Sequence, residues 1–462
     1  MIRIRHFAGV AVAGMIALAA TVPARAETLA DAMVAAYRHS ALMDQNRAVL
    51  RAADEDVAAA AAALRPVIQW VAGHTYRYIE GGTEQNTSTL SLSAQMTLFD
   101  FGRSQLAIDI AKETVLATRE ALVGIEQDVI LGATEAYFNV WAAREQVALQ
   151  ANSVRVLAQE RQAAQDRFDV GEITVTDVSL ADAQLAATRA RLASAEGDLA
   201  TAEERYLAAT GRRPGRFGAP PASPRLPESV EAARGVAQRT HPSIRQLQRQ
   251  AAAAELGVAA AAAERNPTVT GSVGLSSQDG PTGFGFNTTT SGATVGVEMS
   301  QTIYSGGRLP SAHRKAMAQR DQVRAALLNS ARSVSQSVGT TWSYIEVVKA
   351  QIRAIDQQIL AAQQAYDGVR EEAMLGARTT LDVLDAEQSL LSARADRISA
   401  QANLQLAHYQ LLAAMGLLTV ENLKLGIPTY DPSEYYKAVR EAPYTSRQGE
   451  NLDRVLRAIG RN

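Results

Sequence analysis

Cysteine is absent from the 462 residues. Its absence excludes a disulfide framework, thiolate metal sites and a lipid-modified N-terminal cysteine. Aromatic residues are scarce, at 5%. A chain this poor in aromatics and rich in alanine and glutamine favours long, closely approaching helices with shallow cores. No excess of basic charge exists: 46 Lys and Arg stand against 48 Asp and Glu. Without a basic stripe, nucleic acid is not an expected partner. The sequence also lacks an HExxH motif, a phosphate-binding Gly-Lys loop and any Cys–His pair. Its six histidines, His6, His39, His74, His241, His313 and His408, are scattered, which fits structural polar residues better than ligands. No catalytic residue, cofactor or metal site is expected, and the chain does not read as an enzyme.

The first 26 residues look like an export signal. Arg3 and Arg5 precede an apolar run, Phe7 to Ala20, which at about 14 residues is too short to span a bilayer as a helix. Pro23 and then Ala24-Arg25-Ala26 supply the small residues of a signal-peptidase site, placing the mature start at Glu27. Loss of Arg3, Arg5 and Arg25 takes the net charge from −2 to −5.

Proline is also missing where it matters most. Of 14 prolines, none lies between Pro66 and Pro214 and none between Pro310 and Pro428. Proline removes a hydrogen bond from a helix interior and clashes with the preceding turn. These stretches, rich in Ala, Leu, Gln, Glu and Arg, therefore read as long helices, about 102–168 and 308–374, each about 100 Å at 1.5 Å per residue. Five prolines from Pro214 to Pro227 mark a linker, residues 212–227.

The chain is internally duplicated, with repeats at 27–211 and 228–425 and a tail at 426–462. Arg65-Pro66-Val67 corresponds to Asn266-Pro267-Thr268 at an offset of 201. Leu98-Phe99-Asp100-Phe101-Gly102-Arg103 corresponds to Ile303-Tyr304-Ser305-Gly306-Gly307-Arg308 at 205, and that offset persists through Val170-Gly171 and Leu375-Gly376, Asp177 and Asp382, and Gly211 and Gly416. Within each repeat a helix comes first; in the first repeat it reads as continuous from Leu29 to Leu64. A hairpin of strands about 10 residues long follows, 66–101 in one copy and 267–304 in the other. Leu90, Leu92, Ala94, Met96 and Leu98 alternate with polar residues, as do Ala293, Val295, Val297, Met299 and Ile303. Gly81–Ser88 and Gln278–Gly292 read as the loops. Strands with one apolar and one polar face, about 10 residues long, suit lipid outside and water inside. Four strands cannot close a barrel, and open edges cannot face hydrocarbon. Several copies must therefore share one barrel.

The junction Ile303-Tyr304-Ser305-Gly306-Gly307-Arg308, the tip Val170-Gly171 with Thr176-Asp177-Val178, and Leu375-Gly376 through Arg378-Thr379 to Leu381-Asp382-Val383-Leu384-Asp385-Ala386 resemble TolC-type outer-membrane factors in order and spacing over nearly all of Glu27–Leu425. The resemblance implies a mainly α fold with a transmembrane β-barrel: a homotrimer with a shared 12-stranded barrel, four strands per chain, and a long α-helical barrel of 12 helices. It places the protein in the cell outer membrane, against its lipid and projecting into the periplasm. The implied partners are a periplasmic adaptor (a membrane fusion protein) and an inner-membrane ABC or RND transporter, and the implied work is type I protein secretion or multidrug efflux. A periplasmic coiled-coil scaffold or adaptor is the alternative, but it leaves the two matched hairpins unexplained.

The resemblance also implies a site. The turns at Val170, Gly171, Leu375 and Gly376 are expected to meet the adaptor. Asp382 and Asp385, spaced i, i+3, are expected to ring the pore entrance, where a cap alone would need only one carboxylate. Leu180 stands where a counterpart of Asp385 would be, so only the second repeat can build a double ring. Arg378 is expected to tie the closed state to Thr176 or Asp177 of the neighbouring repeat or chain. A tyrosine that supplies a second tie in relatives is replaced here by Ala373.

Overall fold

The computed structural model describes residues 26–78, 80, 84–218, 221–281, 287–428, 430–440 and 454. Apart from Ala26, the export signal lies outside the described residues, as do most of 441–462. The element order is α1 (Leu29–His39), α2 (Ala41–Ala62), β1 (Val67–Arg77), β2 (Gln85–Phe99), α3 (Arg103–Asp169), α4 (Val175–Thr210), α5 (Val230–Thr240), α6 (Pro242–Ala263), β3 (Thr268–Pro281), β4 (Asn287–Ser300), α7 (Arg308–Met374), α8 (Thr380–Ala414) and α9 (Pro432–Arg440). The two proline-poor stretches are α3 and α7, each an unbroken helix of 67 residues. At 1.5 Å per residue, each is about 100 Å long.

Three sequence expectations are corrected. The helix expected from Leu29 to Leu64 breaks at Ser40, whose extended backbone ends α1 before α2 begins. In the second repeat the corresponding break is announced by Pro242, the first residue of α6, where proline is tolerated because its missing N–H would have had no intrahelical partner. The strands outrun their expected ends: Gln85–Ser88 belongs to β2, and Gln278–Pro281 and Asn287–Gly292 extend β3 and β4. Ile303 lies beyond β4, which ends at Ser300.

The four strands form one antiparallel sheet in the order β1-β2-β3-β4, so the two hairpins join through β2 and β3. Ala94 pairs with both Ile68 and Val273, and Val273 with Val295. Between Thr97 and Phe99 the register shifts by a bulge, which brings Phe99 opposite Val269.

The chain divides into two compact units, and each draws on both repeats. One comprises the described residues up to Ser40 with Val129–Arg225 and Ser343–Gln410. Its packing uses small and aliphatic side chains: Leu157 of α3, Leu185 of α4 and Leu384 of α8 meet in one cluster, and Ala164, Val178 and Ala181 in another. Glu27 is fixed in it. The carboxylate accepts from Tyr206 Oη (2.6 Å), Gly215 N (2.7 Å) and Arg212 Nη2 (2.7 Å), while Tyr137 stacks on Phe217 with ring centroids 4.2 Å apart.

The other unit comprises Ala41–Asp128, Leu226–Trp342 and the described residues from Leu411 on, and it includes the sheet. Here α9 packs against α2, with Tyr435 Oη donating to Glu55 Oε1 at 2.8 Å. Asp54 of α2 is 1% exposed, and neither carboxylate oxygen has a hydrogen bond among the described residues. Arg119 stands 3.9 Å away. Burial pushes the Asp54 carboxyl up from 3.8 to about 6, against the opposing pull of Arg119. A carboxyl raised in the folded state stabilises the fold below its ordinary titration range, and that contribution is lost as pH rises through 6. Asp54→Asn is therefore expected to raise the melting temperature at pH 7.5 and to leave it nearly unchanged at pH 4. Calorimetry at the two pH values checks this; a lower melting temperature at pH 7.5 would mean that attraction to Arg119 outweighs the cost of burial.

Candidate functional site

The sheet has two chemically different faces. The apolar rows are Met299–Val269–Phe99 and Val297–Gly271–Met96 across three strands, and Val295–Val273–Ala94–Ile68 and Ala293–Leu275–Leu92–Trp70 across all four. The next row, Ala72–Leu90–Ser277–Ser291, is mixed, and the one after it, His74–Ser88–Asp279–Thr289, is polar. Successive rows on one face are two residues apart, so the four apolar rows span about 20 Å along the strands, and about 27 Å with the mixed row. The strands, of 11 to 15 residues, are as long as the roughly 9–11 residues that cross a bilayer at a tilt require. Between these rows, on the opposite face, lie Gln69–Ser93–Gly274–Thr294 and Val67–Gln95–Ser272–Gly296. The apolar face is uncovered in the single chain: Val295 is 81% exposed and Ile68 70%. Among the described residues β1 and β4 each pair with one neighbour only, leaving a row of backbone donors and acceptors open on either side. No helix of the described residues is long and apolar enough to cross a membrane.

The other expected site residues gather at two turns of like construction. At the end of α3, Gly171 has φ +83°, its N–H donates to Phe168 O (2.9 Å), and Glu172 N donates to Arg167 O (2.9 Å). At the end of α7, Gly376 has φ +77°, with Gly376 N donating to Ala373 O (3.1 Å) and Ala377 N to Glu372 O (2.9 Å). A left-handed residue closes the last helical turn in this way, and glycine adopts it without a Cβ penalty. Val170 and Leu375, just before the glycines, are 71% and 86% exposed. Large apolar side chains are thus turned to solvent at both turns.

The return helices start alike. Thr174 precedes α4, and Asp177 Oδ2 accepts from its N (3.0 Å) and its Oγ1 (2.7 Å). Thr379 precedes α8, and Asp382 Oδ2 accepts from its N (3.0 Å) and its Oγ1 (2.8 Å), while Asp382 N donates back to Thr379 Oγ1 at 3.2 Å. These are reciprocal capping boxes. The Thr174 side chain, its N–H and the charge of Arg167 hold Asp177 below the usual carboxylate range. The Thr379 N–H and hydroxyl, with Arg378, do the same for Asp382. Asp385 lies one turn along α8, exposed, with no side-chain hydrogen bond or ion pair among the described residues. Thr176 is likewise exposed in the first turn of α4.

Within the chain Arg378 does not reach Thr176 or Asp177. Its Nε donates to Glu372 Oε2 of its own turn at 2.8 Å. At these turns a bond between the two repeats is made by Arg167, whose Nη1 donates to Ala373 O at 3.1 Å. Sequence reasoning missed Arg167 because its partner is a backbone carbonyl. The one signal in the sequence is that, at the 205-residue offset, Arg167 stands opposite Glu372, so the otherwise matched turns carry opposite charges at that position. Among the described residues no group of His, Asp and Glu side chains is placed to hold a metal ion.

The outer membrane efflux protein family model matches residues 33–212 and 234–417, one span in each repeat. The outer membrane efflux protein BepC of Brucella suis biovar 1 (strain 1330) is 34% identical over 90% of this chain and 91% of its own. The outer membrane protein TolC of Escherichia coli (strain K12) is 27% identical over 76% of this chain and 75% of its own. Among solved structures, CusC, described with its transmembrane channel formation, superposes with a TM-score of 0.76 at 19% identity, covering 85% of this chain and 92% of that one. Matched in both repeats and nearly end to end, the chain belongs to the outer membrane efflux protein family and is an outer-membrane channel protein.

Proposed function

We propose that three copies of this chain close a 12-stranded barrel in the outer membrane and continue it as a helical tunnel into the periplasm, through which cargo leaves the cell. The observation that carries the reading is the sheet: strands long enough to cross a bilayer, an apolar face, a polar face behind it, and two edges unpaired among the described residues. Backbone groups facing hydrocarbon without partners cost several kcal/mol each, so β1 and β4 must find strands from other copies. The helix-end turns receive a periplasmic adaptor through Val170 and Leu375, and an inner-membrane ABC or RND transporter behind it selects the cargo, protein or drug. The tunnel itself does no chemistry. Asp382 and Asp385 line its entrance, with Thr176 and Asp177 beside them.

Mass measurement of the complex extracted in mild detergent is expected to give three copies. A monomer would remove the shared barrel. Release from membranes without detergent would instead favour a periplasmic coiled-coil scaffold.

A further inference from the structure

We propose that Arg167 is the latch that joins the two helix-end turns of one chain and sets the resting aperture of the entrance, a role that the family resemblance gives to Arg378. The inference rests on the reading of these turns as the tunnel entrance.

Three observations carry it. First, Arg167 Nη1 donates across the repeats to Ala373 O at 3.1 Å. That carbonyl lies in the last turn of α7, where unsatisfied carbonyls carry the negative end of the helix dipole. It already accepts Gly376 N, so Arg167 takes its second lone pair. Ala373 is buried. With only a methyl group, its side chain provides no hydroxyl with which to make a tie, and its backbone oxygen serves instead.

Second, Arg167 does not act alone. Seven residues earlier on α3, and so on the same face, Glu160 Oε1 accepts from Arg370 Nε of α7 at 3.0 Å. Arg370 and Ala373 are themselves three apart and share a face of α7. The two bonds form a ladder between α3 and α7 that ends at the turns. The positive charge of Arg167 also bears on Asp177 in the first turn of α4, so it spans α3, α4 and α7.

Third, Arg378 is occupied elsewhere. Its bond to Glu372 stays within one turn, and both side chains are half exposed, at 51% and 52%. Exposed ion pairs of this kind contribute little. The opposite charges at the matched positions Arg167 and Glu372 thus divide the work: one reaches across to the other repeat, and the other engages the arginine of its own turn.

The test is single-channel recording in planar bilayers with the full-length complex purified in detergent. Arg167→Ala is expected to raise the ratio of open to closed states roughly tenfold, the loss of one charge-assisted hydrogen bond. Arg167→Lys, which keeps the charge but loses the planar fork, is expected to fall between the wild type and Arg167→Ala. Arg378→Ala is expected to change the ratio by less than about twofold. An open phenotype in Arg378→Ala, with none in Arg167→Ala, overturns the latch and keeps the entrance. No change in Arg167→Ala, Arg378→Ala or the double variant overturns the entrance reading itself. A merely structural role for Arg167 would lower the amount of intact complex with no change in the gating of the channels that form, and Arg167→Gln, which leaves a polar side chain on α3, separates that outcome should Arg167→Ala fail to assemble.

Discussion

Val295→Arg is expected to remove the protein from the outer membrane, while Thr294→Arg, one residue away, leaves it there at wild-type abundance. Val295 lies on the apolar face, 81% exposed and paired with Val273 in the middle of the apolar band. Thr294 points to the other face, paired with Gly274 in a row with Ser93 and Gln69. An arginine at the bilayer midplane of a membrane barrel costs about 2–4 kcal/mol. In the proposed trimer the substitution enters one barrel three times, roughly 6–12 kcal/mol in all. That is comparable with the whole stability of a typical domain, about 5–15 kcal/mol. An arginine on the polar face keeps its hydration and pays no such penalty. Outer-membrane fractionation followed by immunoblotting reads the difference. Equal abundance of the two variants would mean that the faces are not divided between lipid and water.

The broad architecture is legible in the sequence because its causes are local. Proline cannot sit inside a helix, so the gaps after Pro66 and Pro310 mark α3 and α7. Alternation from Leu90 to Leu98 marks a two-faced strand. What is not legible has causes that are not local. Gln85–Ser88, Gln278–Pro281 and Asn287–Gly292 carry no large apolar residue at every second position, so no period-two signal survives there. They are strands because their backbones pair with Arg77–His74 and with each other beyond the end of the apolar band. Ser40 interrupts a helical pattern that continues on both sides of it, and nothing in the composition separates this serine from one inside a helix. In the second repeat Pro242 makes the same break visible. Ile303 continues an apolar alternation by type alone, after pairing has stopped at Ser300. At the helix-end turns, Thr174–Asp177 and Thr379–Asp382 carry the spacing of a capping box, which is a sequence pattern. The link from Arg167 to a carbonyl of the other repeat depends on how two distant segments pack, and no motif encodes it.

Asp385→Ala is expected to weaken block by multivalent cations and lower cation selectivity, whereas Asp382→Ala alone also loosens the start of α8. The two carboxylates share a face at i, i+3, yet their engagements differ. Asp382 spends one oxygen on the N–H and hydroxyl of Thr379, and its own N–H bonds back to that hydroxyl. Helix capping alone would account for it, and Asp177 does the same in the first repeat. Asp385 has no such employment, and its counterpart is Leu180, so helix starting cannot explain its presence. An exposed carboxylate without a partner is free to bind a cation. Three of them in the proposed trimer make a ring of the kind that selects cations. Each unit-charge pair at about 4 Å is worth about 1 kcal/mol in water, so losing three should weaken binding of a well-centred monovalent cation on the order of a hundredfold, and block by a multivalent one by more. Replacing both aspartates should weaken it further and also lower the melting temperature, because Thr379 loses its reciprocal partner. Planar-bilayer recordings of reversal potential and of block by a trivalent cation separate the two contributions. Block retained in Asp385→Ala but lost in Asp382→Ala would transfer the ring to Asp382. Block and selectivity retained in the double variant, with trimers intact, would leave both aspartates outside the pore.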